Sequence, residues 1–130
     1  MNKLFLSLAG LAALGCVPLS AHHSFAAEYD NTKAETIHGV VTKFDFVNPH
    51  GWIYLEVKDE MGKVSPWAAE MGNVNALMRR GWTKRSLKPG DEVIISGFRA
   101  KDGSLNINAR SVKLPDGHEM LAGSSATDSK

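Results

Sequence analysis

The chain has 130 residues, a single cysteine and a formal net charge of +1. That length holds one ordinary domain with one hydrophobic core, because two domains would each be too small to bury enough apolar surface without covalent staples. The near-neutral balance excludes the basic footprint that nucleic acid or an anionic bilayer attracts.

Residues 1–21 are predicted to be a secretion leader. Lys3 supplies the positive start, residues 4–17 form the apolar stretch, Pro18 breaks it, and Leu19-Ser20-Ala21 offers a small-residue cleavage site. The apolar run is too short to span a bilayer comfortably and no second one follows, so no transmembrane segment is expected once the leader is removed. The product is expected in the periplasm or outside the cell. Cys16 leaves with the leader, so the remaining chain has no disulfide and no thiolate chemistry. In the alternative, Ala13-Leu14-Gly15-Cys16 serves as a lipoprotein box and Cys16 becomes a lipid anchor. Removing Lys3 with the leader leaves fourteen cationic against fourteen acidic side chains. The one basic cluster, Arg79-Arg80 with Lys84-Arg85, reads as a solvated helix end.

Residues 22–35 are polar and small apart from Phe25 and Tyr29, and are predicted to be an extended N-terminal arm. Residues 36–47 are rich in β-branched and aromatic side chains and predict a long strand. Both of its faces are partly apolar, which suits a strand that curls, with Gly39 permitting the bend. Asn48-Pro49-His50-Gly51 predicts a turn. Residues 52–58 alternate Ile53, Leu55 and Val57 with Trp52, Tyr54 and Glu56, a period of two. Asp59-Glu60-Met61-Gly62 is a hairpin turn into a shorter strand over 64–70, where Pro66 indicates an edge or a bulge.

Asn73 is placed to cap a short helix whose apolar face is Val74, Leu77 and Met78. Arg79 and Arg80 suit its C-terminal dipole, and Gly81 suits the position after its end. Strands over 92–98 and 105–114 follow, joined by Lys101-Asp102-Gly103-Ser104. Pro115-Asp116-Gly117 is a further turn, and residues 118–130 are predicted to be a flexible tail. Three strands, a helix and two strands is the order of the OB-like five-stranded Greek-key barrel, here over residues 36–117. An all-β chain of this kind could instead form a small open β-sandwich.

The histidines carry the chemical signal. Cleavage after Ala21 makes His22 the first residue, so its α-amine and Nδ1 chelate one metal ion in a six-membered ring. An imidazole from elsewhere then completes a T-shaped set of three nitrogens, a histidine brace, which selects Cu(II) or Ni(II) over Mg or Ca. His50, held between Pro49 and Gly51, is the candidate third ligand. His38 is second choice: by alternation it shares a face with Val40 and Phe44, which suggests partial burial. His23 adjoins the chelate and could ligate through a local ring. Cleavage one residue earlier gives Ala21-His22-His23, the amino-terminal copper and nickel motif, so either cut yields a chelate. The plainer alternatives are a solvated arm carrying His22 and His23, a His50 that only pins its turn, and an exposed loop position for His118. Trp52 and Tyr54 lie opposite Ile53 and Leu55, and form a possible ligand face on a barrel of this type. The sequence has no serine-nucleophile motif, no glycine-rich phosphate loop, no HExxH and no paired-carboxylate spacing, so copper redox chemistry is the one enzymatic route left open.

The chain resembles a family of small exported bacterial proteins classed as a domain of unknown function. The matching segments are His22-His23-Ser24-Phe25-Ala26-Ala27-Glu28-Tyr29-Asp30, Gly39-Val40-Val41-Thr42, and Asn48-Pro49-His50-Gly51-Trp52-Ile53. Asn75-Ala76-Leu77-Met78-Arg79-Arg80-Gly81-Trp82, Leu87-Lys88-Pro89-Gly90-Asp91 and Asn108-Ala109-Arg110-Ser111-Val112 extend the match over nearly all of the chain after the leader. The resemblance implies export and a β-barrel-like domain, and it marks His22, His23 and His50 as part of the family pattern. The expectation is a copper-binding protein for carriage, buffering or delivery, with a periplasmic or membrane copper-handling protein as its partner. The alternatives are a metal-free binding module using the Trp52 and Tyr54 face, and a copper-dependent oxidoreductase.

Overall fold

A computed structural model describes residues 25–123. The expected leader over 1–21, with Cys16, and the positions of His22 and His23 lie outside these residues, as does the chain beyond 123. A helical turn, α1 (Phe25–Glu28), leads directly into β1 (Tyr29–Asp45). Then come β2 (Trp52–Lys58), β3 (Val64–Glu70), α2 (Val74–Arg79), β4 (Glu92–Ala100), β5 (Asn106–Lys113) and β6 (Glu119–Leu121). β1 pairs antiparallel with both β2 and β4; β2 pairs antiparallel with β3, and β4 with β5. A parallel pairing of Ala68–Glu70 with Asn106–Asn108 joins β3 to β5 and closes a ring of five strands. This is the OB-like barrel.

Alternation along the strands builds the core. Ile53 and Leu55 point inward with almost no exposure, while Trp52 and Tyr54 stay half-buried outside. Val41, Ile95, Ile107 and Val112 fill the same interior, and Met71, Leu77, Trp82, Leu87 and Ala122 belong to the same cluster. Each fully buried Val, Ile, Leu or Met among them contributes about 1.5–3 kcal/mol of burial, which is what holds a chain without disulfides. Pro66 sits in the part of β3 that pairs only with β2, so its missing N–H faces a free edge. Among the described residues, no helix is long and apolar enough to cross a membrane.

Four expectations are revised. The arm over 22–35 is not unpaired: Tyr29 faces Ala100 and Ala34 faces Phe98, with a register shift between them, so the barrel begins well before residue 36. The flexible tail over 118–130 is not flexible at its start, because β6 pairs with β5 and Ala122 is fully buried. The pairing of β1 with β2 is interrupted by a register shift between Val41 and Lys43, past Gly39, where the two strands are in register. Gly39 instead lets β1 approach β2, since a Cβ there would lie 2.5 Å from the Glu56 carbonyl oxygen. Finally, Met78 is 58 % exposed. The helix has only six residues, and the Trp82 N–H folds back to donate to the Leu77 carbonyl, so Trp82 fills the core position expected of Met78.

Candidate functional site

The turn before β2 sets His50. Gly51 donates its N–H to the Gly72 carbonyl (3.1 Å) and accepts from the Met71 N–H (2.8 Å), which carries the β2–β3 pairing one residue past Trp52 and Glu70. Leu77 Cδ1 and the Met71 sulfur lie 3.1 and 3.3 Å from where a Cβ on Gly51 would stand, so a larger residue would push the turn off the barrel. With the backbone fixed in this way, His50 Nδ1 lies 2.6 Å from Glu70 Oε1. A ring nitrogen and a carboxylate oxygen at that separation need a proton between them, so Nδ1 carries the hydrogen and Nε2 is the atom left for another partner.

Glu70 belongs to the outward set of β3, since Trp67, Ala69 and Met71 point inward, yet it is only 8 % exposed. The cover is Tyr29, whose hydroxyl donates to Glu70 Oε2 at 2.5 Å. Tyr29 is itself held by the start of the chain. The Phe25 ring stacks on Tyr29 with centroids 5.8 Å apart and meets Phe98 edge-on at 5.7 Å. The Lys101 N–H donates to the Glu28 carbonyl (2.8 Å), and Lys101 Nζ donates to the Ala26 carbonyl. Burial, followed by the bond to Glu70 and the charge of Glu70, raises the Tyr29 phenol well above its ordinary ionisation range.

His50, Glu70 and Tyr29 share a cleft of about 1070 Å³ with Ala27, Glu28 and Trp52. The Trp52 ring is stacked with Tyr54 at 6.2 Å and 18°, and Lys43 Nζ lies 5.4 Å from the Tyr54 ring centre. The candidate ligand face is therefore a continuous aromatic pair, one member of which lines the cleft.

The remaining sequence candidates are placed elsewhere. His38 is exposed on β1 and lines a different groove, of about 510 Å³, with Asp91, Glu92 and Lys113. It does share its outer face with exposed Val40, but the shift after Val41 turns Phe44 back onto the core, so His38 is neither partly buried nor beside His50. His118 is an exposed turn residue. His22 and His23 lie outside the described residues, three and two positions before Phe25. Among the described residues, no group of three or more His, Cys, Asp or Glu could hold a metal ion.

Glu70 and Tyr29 are the functional candidates that sequence reading passed over. The available signal was a single carboxylate in the otherwise apolar run Trp67-Ala68-Ala69-Glu70-Met71, and a tyrosine in a polar arm.

A model of a family of unknown function, DUF6152, matches residues 10–108, and the chain belongs to that family. No curated protein and no solved structure matches it.

Proposed function

We propose that this member of DUF6152 is an exported copper-binding protein that carries, buffers or delivers the ion, with its site at the mature amino terminus. His22 supplies its α-amine and Nδ1, His50 supplies Nε2, and His23 is the adjacent donor. The observation that carries the reading is the 2.6 Å approach of His50 Nδ1 to the buried carboxylate of Glu70. Histidines that bind metals nearly always donate their other ring N–H to such an acceptor, which fixes the tautomer and raises the basicity of the ligating nitrogen.

Reach supports it as well. Ala27, in α1, lines the same cleft as His50, and His22 lies only three positions before the start of that helix, a stretch that spans at most about 10 Å. The donor set, an amine and imidazoles with no thiolate, suits Cu(II). His38, in its separate groove, is left as a ligand of no part of this site.

Intact mass of the secreted protein fixes the new terminus, and a start beyond His23 removes the proposal. Cu(II) titration of the metal-free protein, followed by EPR, is expected to show nitrogen hyperfine lines, with weaker binding and an altered spectrum in His50→Ala. An unchanged spectrum in that variant removes His50 from the site, and absence of nitrogen hyperfine lines in the wild type argues for the second reading, a metal-free binding module, which the stacked Trp52 and Tyr54 rings favour. Turnover with a reductant and oxygen would move the assignment from carrier to oxidoreductase.

A further inference from the structure

Both oxygens of Glu70 are in use, and they reach in opposite directions along the chain. Oε2 accepts from Tyr29, on the segment that follows His22, while Oε1 meets His50, on the turn before β2. We infer that Glu70 is a clamp: one buried carboxylate fixes, at the same time, the arm that carries the terminal chelate and the imidazole that completes it. Tyr29 and Glu70 are thus positioning residues of the site proposed above. For its consequence in metal binding the inference rests on that proposal; as a mechanical link it stands on the contacts alone.

Three features single out this arrangement. Glu70 is the one buried charged residue among those described, so it is not an incidental surface contact. A carboxylate removed from water demands donors on each oxygen, and among the described residues Tyr29 and His50 meet one oxygen each. Neither contact is local in sequence, since Tyr29 lies 41 residues from Glu70. Other contacts of the arm, Phe25 against Phe98, the pairing of Tyr29 with Ala100 and the Lys101 contacts, are to β4 and the β4–β5 turn. Glu70 instead ties the arm to the β2–β3 side, where His50 sits.

The two bonds can be cut separately. Tyr29→Phe removes the arm link and leaves the His50 contact. Glu70→Ala removes both. Glu70→Gln keeps an acceptor for His50 and a donor towards the Tyr29 oxygen, and so keeps the geometry while removing the charge. In metal-free protein, hydrogen exchange of the amides over residues 25–29 is expected to rise roughly thirtyfold in Tyr29→Phe and Glu70→Ala, the size a charge-assisted hydrogen bond gives, and much less in Glu70→Gln. Nitrogen-15 NMR of the His50 ring at pH 9 is expected to show the Nδ1–H tautomer in wild type and Tyr29→Phe, and a mixture in Glu70→Ala. Cu(II) affinity is then expected to fall about 10- to 100-fold in Glu70→Ala, with smaller losses in the other two.

If arm exchange and the His50 tautomer are the same in Glu70→Ala as in wild type, the clamp is overturned. Equal copper affinity and identical EPR spectra in the two proteins would overturn its role in the site. A wild type that shows the metal-free signatures but binds no Cu(II) overturns the copper reading and leaves the clamp in place. Should Glu70→Ala not fold, Tyr29→Phe against Glu70→Gln still decides it, because the clamp requires arm exchange to rise in the first and not in the second.

Discussion

A carboxylate taken out of water is stable only where its oxygens find donors. Glu70 finds Tyr29 on one side and His50 on the other. Removing the phenol hydroxyl leaves that carboxylate short of a donor, so Tyr29→Phe is expected to cost about 2 kcal/mol near neutral pH, the usual size for a hydrogen bond to a charged group. The same contact has a pH signature. In the unfolded chain the phenol ionises around its ordinary value of 10.0, whereas in the fold it stays protonated well above that. Below pH 10 both states hold the proton, and this group contributes no pH dependence. Above it the unfolded state loses a proton that the native state keeps, so stability falls as pH rises. Tyr29→Phe lacks this slope, and urea denaturation at pH 8 and pH 10.5 is expected to show its deficit against wild type narrowing by about 1 kcal/mol. A constant deficit would mean that Tyr29 is not buried against a charge.

At the scale of elements, β2 and β3 could be read directly from the sequence, because alternation around Ile53 and Leu55 and the turn at Gly62 are local signals, and both strands run where expected. The Asn73 cap was legible for the same reason, and its side chain accepts from the Ala76 N–H as the helix requires. The long-range elements were not. His38 was expected to be partly buried and is exposed, whereas Glu70, at the end of a strand, is buried because the arm folds over it. β6 was illegible because three residues carry no period, and their place depends on the segments that flank α2. The Trp82 indole N–H donates to the Leu121 carbonyl, and the Gly72 N–H to the Ala122 carbonyl. Ending the chain after Gly117 strips both acceptors and uncovers Trp82, and a loss of about 3 kcal/mol is expected from the stranded indole N–H and the exposed ring. For a domain of this size that is a fall of roughly 12–24 °C in melting temperature. A frayed tail would instead leave the melting temperature where it was. Because Gly72 also holds Gly51, the truncation is expected to loosen the His50 turn.

At the scale of the whole molecule, the site lies at the seam where the barrel closes. Glu70 is the last residue of β3 and takes part in the parallel pairing with Asn108 that shuts the ring. His50 belongs to the β2–β3 side of that seam, while α1 is pinned to the β4–β5 turn by Lys101. A metal held jointly by His22 and His50 would therefore cross-link two sides of the barrel that are otherwise joined by hydrogen bonds. Binding to the native state alone stabilises it by about 2.7 kcal/mol when free ligand is a hundredfold above Kd. On the same scale of unfolding entropies, Cu(II) at that excess is expected to raise the melting temperature by roughly 10–20 °C. Adding one residue before His22 replaces the six-membered chelate by the amino-terminal motif at His23, which needs no imidazole from His50 and binds the unfolded chain as well as the native one, while every contact between residues 25 and 123 is unaltered. In that extended protein the metal-free melting temperature is expected to match wild type and most of the copper-induced rise to vanish. An equal rise in both proteins would place the metal on exposed histidines and not on the free terminus.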